Sequence, residues 1–172
     1  SGVRAKGLRM DVVAHDPYVR AGTDKLLGVT LVELEELLRT CDVVSVHTPL
    51  TEESRQMIDG KALDLMKPTA ILINTARGAV VDTDALAVAL REGSIAGAGI
   101  DVLPEEPARS DMPLIQLWQE DTQPPVNLIV TPHTAFYSDA GLLEMRTKAA
   151  MELKRILSGQ KPKNCVNIEF LR

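Results

Sequence analysis

The stretch AILINTARGAVVD, residues 70–82, decides how the rest of the chain is read. Its first four residues are apolar and strand-forming, the composition expected of a strand covered on both faces. Asn74, Thr75, Ala76 and Arg77 follow, Gly78 lets the chain turn, and Asp82 opens a helical pattern. A guanidinium at the end of a buried strand is costly to desolvate without a partner. Arg77 is therefore expected in a cleft, facing an anion.

Outward from this strand the pattern alternates. Residues 10–15 (MDVVAH) read as a strand ending at Asp16-Pro17, and Val29 begins a short one. Residues 31–40 (LVELEELLRT) have apolar positions at helical spacing with glutamates on the other face. Residues 43–47 are a strand closed by Thr48-Pro49, and residues 51–66 hold two short helices broken near Gly60, the second ended by Lys67-Pro68. Residues 82–92 form a helix stopped by Gly93. Strands follow at 95–102 and 128–130, then a long amphipathic helix at 138–157 ended by Gly159. Residues 104–113 and 120–125, rich in proline and acid, read as irregular. Short strands alternating with helices define the α/β class, a doubly wound parallel sheet with helices on both faces.

Composition narrows the function. A chain of 172 residues is read as one domain with a sizeable core. Hydrophobic content of 45% with only 3% aromatics fits an interior of Ala, Val, Ile and Leu. A formal net charge of −5 argues against non-specific nucleic-acid binding, which needs a basic surface. Cys41 and Cys165 lie far apart without CxxC spacing; they read as cytosolic thiols, and no metal site is expected. No apolar run approaches a membrane span, so no membrane partner is expected. No secretory leader is visible, and the chain starts at Ser1 without an initiator Met, which leaves room for a removed or missing N-terminal stretch.

In such sheets the working residues gather at the carboxyl ends of the strands. Here the residues following each strand are Asp16, His47-Thr48-Pro49, Asn74 to Arg77, Asp101 and His133. Asp16 is placed to accept from the hydroxyls of an adenosine ribose, which favours NAD over NADP because a 2′-phosphate would meet like charge. Its alternative is an Asp-Pro turn opener. Arg20, four residues on, would soften that preference. A GxGxxG loop belongs about 20 residues before such an aspartate, and there is no room for one. Gly97-x-Gly99 sits within a strand and is rejected as a phosphate loop. Taken singly, Glu105 and Glu106 are solvated loop charges, His133 a capping or core histidine, and Arg77 half of a surface bridge with Asp82. His47 is open between core packing and the cofactor pocket. Trp118 reads as a packing residue, and Met145 and Met151 as core.

Three motifs in order carry a resemblance: NTARGAVVD (74–82), GIDVLPEEP (99–107) and TPHTAFYS (131–138), with HTPLTEES (47–54) between the earlier strands. Together they resemble the NAD-dependent D-2-hydroxyacid dehydrogenases. Within that family the chain looks most similar to the C-terminal-binding-protein branch, whose His motif runs into an aromatic, Tyr and Ser and whose tail resembles KNCVN (163–167). Phe136 stands where that branch carries tryptophan, which implies a differently shaped substrate pocket. Formate dehydrogenases carry glutamine in place of the glutamate, and Glu106 speaks against them.

The resemblance implies a Rossmann-like NAD-binding domain at residues 1–136, incomplete at its N-terminus, and a C-terminal helix and tail at 137–172 that return to a substrate lobe. It places the substrate lobe, first strand, glycine loop and start of the first helix ahead of Ser1. The sheet would then be split between the strands at 10–15 and 43–47, exposing two unpaired edges and arguing against these residues folding alone. It implies an oxidoreductase moving a hydride between nicotinamide and a small 2-keto or 2-hydroxy acid. The alternative is an NAD(H)-responsive corepressor-like binding protein. Arg77 would bind the substrate carboxylate, His133 would be the general acid or base, and Glu106 would fix its tautomer and favour the protonated ring. Asp101 would hold the nicotinamide. Asp16, Thr48, Pro49, Ser54, Thr75 and Ala76, with Arg77, His133 and Ala135, would line the cofactor cleft. A cytoplasmic homodimer is the expected assembly.

Overall fold

The computed structural model describes residues 2–19, 22–163 and 165. They fall into two compact units, Ser1–His133 and Thr134–Arg172. Arg20 lies outside the described residues. The first unit runs α1 (Gly2–Gly7), β1 (Val13–Ala14), α2 (Thr23–Leu27), β2 (Thr30–Leu31), α3 (Leu34–Thr40), β3 (Val43–Val46), α4 (Gly60–Leu65), β4 (Ile71–Asn74), α5 (Thr83–Glu92), β5 (Gly97–Ile100), α6 (Pro113–Gln119) and β6 (Leu128–Val130).

All ladders are parallel. β1 pairs with β2, while β3, β4, β5 and β6 form a second sheet in that order. No ladder joins the two among the described residues, a division falling where the sequence reading expected one. In the larger sheet the register aligns Val44, Leu72, Ala98 and Leu128 across all four strands. These residues and their period-two neighbours Val46 and Ile100 are buried, so one face of the sheet is the core face. Onto it pack Leu38 of α3, Leu63 of α4, Leu86 and Leu90 of α5, and Leu114 and Leu117 of α6. Each such buried leucine contributes roughly 1.5–3 kcal/mol of transfer free energy.

The opposite face differs from the expectation of a strand covered on both sides. Ile71 and Ile73 are only half-buried, while Val43 and Ile129 are 41% and 64% exposed. The apolar run at 70–73 therefore serves a helix layer on one face only within this unit.

Local chemistry explains where elements start and stop. Asp82 caps α5, its Oδ1 accepting from the Asp84 and Ala85 N–H groups at 3.1 and 3.0 Å, a contact worth about 1 kcal/mol. Gly93 ends the helix in the left-handed region at φ 72°. Of the two helices expected over 51–66 only α4 forms, capped by Asp59. Residues 52–56 are turns, because the Ser54 hydroxyl donates to the Pro49 carbonyl (2.6 Å) and accepts the Thr51 N–H (2.8 Å). That pattern competes with a helical backbone. The strands expected at 10–15 and 95–102 shrink to Val13–Ala14 and Gly97–Ile100, the lengths over which partners exist. Helix α6, which begins with Pro113 at its first turn, was not expected.

The second unit is α7 (Asp139–Leu157), capped by Ser138, whose Oγ accepts the Gly141 N–H at 3.0 Å. No described residue of α7 is buried. Met145 and Met151, expected in the core, are 53% and 60% exposed, because this helix has no layer over its apolar positions within its own unit. Trp118 of α6, expected to pack, is 47% exposed.

Candidate active site

The site is built where β4, β5 and β6 end. Asp101, just beyond β5, donates its N–H to the Asn74 carbonyl at 2.9 Å, and the Asp101 carbonyl accepts the His133 N–H at 2.8 Å. The ends of three strands are thereby tied in register, and the residues following them share one edge. His133 adopts φ 54°, a left-handed conformation that non-glycine residues seldom hold. Its N–H also bonds the Thr131 carbonyl at 3.0 Å, so the surrounding backbone fixes that conformation.

Asn74 shapes the turn that carries Arg77. Its buried side chain accepts the Ala76 N–H at 3.0 Å and donates to the Arg77 carbonyl at 3.0 Å. The Arg77 guanidinium is exposed, donates to the Ala76 carbonyl at 2.7 Å and makes no ion pair among the described residues. Asp82, its candidate surface partner, is occupied in capping α5. Gly78 follows, and its φ is not the reason for a glycine here. A Cβ at this position would lie 1.9 Å from the Leu103 carbonyl carbon and 2.3 Å from the Pro104 nitrogen. The segment leaving β5 crosses directly over Gly78, bringing Glu106 to the Arg77 turn.

Glu106 Oε2 lies 2.8 Å from His133 Nδ1, and its Oε1 accepts the Leu103 N–H at 3.0 Å. The hydrogen bond from His133, followed by that from Leu103, holds the Glu106 carboxyl below its ordinary range. Glu105 instead pairs with Arg109 at 3.0 Å. Arg77, Glu106 and His133 line one cleft of about 190 Å3, walled by Leu50, Ala79, Val102, Leu103 and Pro104. A second cleft of about 390 Å3 shares Leu50 and Arg77 and is lined by His47, Thr48, Pro49 and Ala76. His47 is exposed, with Nε2 3.0 Å from Ser45 Oγ, so it is no core residue.

Three further candidates, Ser54, Thr75 and Asp101, lie on the segments that follow β3, β4 and β5. Asp101 is buried, its Oδ1 accepting the Thr131 hydroxyl at 2.5 Å. Thr75 is exposed on the Arg77 turn, and Ser54 is buried with its hydroxyl on the loop's own backbone. Asp16 follows β1 and accepts the Tyr18 N–H at 2.9 Å through Oδ1, leaving its second oxygen open among the described residues. Ala135 belongs to the second unit. Sequence reasoning named Asn74 at its strand end and Gly78 as a turn residue, but it missed the positioning roles of these two and of Thr131. A polar residue closing an apolar strand was the available signal for Asn74; the other two depend on contacts with distant residues. Gly97 and Gly99 lie inside β5, and a Cβ on Gly97 would meet the Asn127 side chain at 2.3 Å.

A parallel sheet whose candidate catalytic residues follow the carboxyl ends of its strands has the arrangement in which open α/β domains hold their ligands. The model of the D-isomer specific 2-hydroxyacid dehydrogenase NAD binding domain matches residues 2–135, and the chain belongs to that family. It is 44% identical over 169 residues to a glyoxylate reductase of Korarchaeum cryptofilum, covering 98% of this chain and 48% of that protein. A glyoxylate reductase of Aeropyrum pernix is 41% identical over 167 residues, covering 97% and 48%. Among solved structures, D-lactate dehydrogenase from Aquifex aeolicus, complexed with NAD and lactic acid, superposes with a TM-score of 0.80 at 34% identity. That superposition covers 92% of this chain and 49% of the other. The chain spans about half the length of the curated relatives it matches. Among the described residues no helix is long and apolar enough to cross a membrane, and no disulfide forms.

Proposed function

We propose that the intact protein is an NAD-dependent dehydrogenase of small 2-hydroxy acids, working physiologically as a 2-keto acid reductase. The observation that carries this reading is the convergence of Arg77, Glu106 and His133 on one small cleft. The names of the curated relatives support glyoxylate or a similarly small keto acid as substrate. The resemblance to the C-terminal-binding-protein branch rests on the run from His133 to Ser138 and on the tail. The reductase names favour an enzyme over a corepressor.

The residues present fit the nicotinamide and ribose ends of the cofactor. Asp16 offers an open carboxylate oxygen at a strand end, Thr48, Pro49 and Ala76 border the cleft around the Arg77 turn, and Thr75 is exposed on that turn. The glycine-rich loop for the pyrophosphate is not among the described residues. Ser54 would act by holding the 49–54 loop, and Ala135 by following the catalytic histidine. When bound, NADH supplies the hydride and NAD⁺ accepts it.

The chain's own residues supply the rest. Arg77 holds the substrate carboxylate in a bidentate charged contact and polarises the 2-keto oxygen. With Nδ1 engaged by the Glu106 carboxylate, the imidazole of His133 delivers the proton from Nε2 to that oxygen. A 2-keto acid, a hydride and a proton thus become a 2-hydroxy acid, and the reverse direction returns the proton to His133. Residues 1–136 would constitute the NAD-binding domain and residues 137–172 the helix and tail that return to the substrate lobe.

Following NADH oxidation on addition of glyoxylate or pyruvate to the intact protein tests the reading. Turnover that Arg77→Ala lowers, both by raising KM and by reducing kcat, supports it. NADH binding without turnover of any small 2-keto acid contradicts the enzymatic reading.

A further inference from the structure

Tyr18 touches two segments that each follow a strand, the Asp16 turn and the loop after β3. Its N–H donates to Asp16 Oδ1 at 2.9 Å, and its hydroxyl donates to the Glu53 carboxylate. Asp16 follows β1, in the two-stranded sheet, whereas Glu53 lies in the loop after β3, in the four-stranded one. No ladder sets the spacing of those two segments. Glu53 is a firm anchor, because the adjacent Ser54 is buried and pins its loop to Pro49 and Thr51. The same loop carries Thr48, Pro49 and Leu50 into the cleft.

We propose that Tyr18 is a positioning residue for the adenosine half of the cofactor, clasping Glu53 so that the Asp16 turn and the loop after β3 are held together beside the cleft. This rests on the dinucleotide reading given above. One oxygen of Asp16 is spent on the Tyr18 N–H, which orients the other for the ribose diol. The hydrogen bond to Glu53, with its charge, holds the phenol above the ordinary tyrosine range. The hydroxyl therefore keeps its proton, and the clasp persists at neutral and mildly alkaline pH. Both partners are exposed, so the clasp is a modest contributor and its effect is confined to binding.

The test uses the intact protein with Tyr18→Phe, Glu53→Gln and the double variant. Tyr18→Phe keeps the ring and the backbone bond to Asp16 and removes only the hydroxyl. Dissociation constants for NADH and for ADP-ribose, which lacks the nicotinamide, are measured beside kcat at saturating NADH. Tyr18→Phe is expected to weaken both ligands about 3- to 10-fold, with kcat changed less than about twofold, as befits one exposed hydrogen bond. Glu53→Gln, which keeps an acceptor but removes the charge, should lose less, and the double variant should bind no worse than Tyr18→Phe alone. Wild-type affinity for ADP-ribose in Tyr18→Phe, or losses that multiply in the double variant, would overturn the clasp while leaving the dinucleotide reading intact. A wild-type protein that binds neither NADH nor ADP-ribose would overturn both.

Discussion

The backbone of Gly78 passes so close beneath Leu103 that a single added carbon would lie 1.9 Å from the Leu103 carbonyl carbon. This crossing fixes how the turn bearing Arg77 meets the segment bearing Glu106. Both strands of the crossing are backbone, so neither can swing away as a flexible side chain would.

Gly78→Ala is therefore expected to force the two segments apart. Overpacking against backbone should cost about 1–3 kcal/mol or more, lowering Tm, and kcat/KM should fall with it. Gly60→Ala is the control: its Cβ would meet Ala85 Cβ at an ordinary 3.7 Å, so stability should change by less than about 1 kcal/mol. Thermal melts of the two variants check the contrast.

Asn74→Ala should act on substrate binding at a distance. It takes the side-chain partner from the Ala76 N–H and from the Arg77 carbonyl, two part-buried hydrogen bonds together worth about 1–3 kcal/mol. With its turn loosened, Arg77 should bind the keto acid less well, so KM should rise more than kcat falls. Urea unfolding and steady-state kinetics on the same variant measure both effects.

Asp16 should make the intact protein prefer NADH to NADPH, since a 2′-phosphate placed near its carboxylate is repelled. At contact distances that repulsion is on the order of 1–3 kcal/mol, or about 5- to 150-fold in affinity. Titration should show the preference, and Asp16→Asn should narrow it. Equal or tighter NADPH binding by the wild type contradicts the assignment.

A homodimer is the proposed assembly of the intact protein. Sedimentation at micromolar concentration should show it, and a monomer under those conditions rules it out.

Much of this arrangement was legible in the sequence, for physical reasons that individual residues show. β3, β4 and β6 announce themselves because β-branched and leucine residues dominate them, with only Ser45 inside β3 and Asn74 closing β4 as polar positions, and Asp82 and Gly93 mark both ends of α5 with cap chemistry. The residues at the strand ends could be named because the sheet is parallel, so every strand delivers its following loop to the same edge. Helix α6 escaped because Met112 at its N-cap makes no side-chain cap bond. The helix expected before Gly60 failed because the Ser54 hydroxyl satisfies local backbone groups that a helix needs. Gly78 and Asn74 show the deeper limit. Gly78 read as a turn residue, yet its requirement comes from Leu103, 25 positions away and on the far side of a helix and a strand. The exposure of Met145 and Met151 likewise depends on what covers α7, which periodicity alone does not encode.

The relation between Glu106 and His133 carries the central claim, and the pH dependence of kcat/KM for reduction of a 2-keto acid by NADH tests it most directly. Glu106 is held below its ordinary value, so it is ionised above that value, and its charged contact with His133 is lost only as pH falls through it. Through the neutral range the carboxylate therefore stays charged beside the imidazole whose proton reduction consumes. His133→Ala should lower kcat by about 10²–10⁴-fold, the usual share of a general acid. Glu106→Gln keeps the shape but removes the charge, so the alkaline loss of activity should move to lower pH while rate recovers toward acid. A His133→Ala variant of near wild-type rate, or a Glu106→Gln profile that coincides with the wild type, would contradict the account.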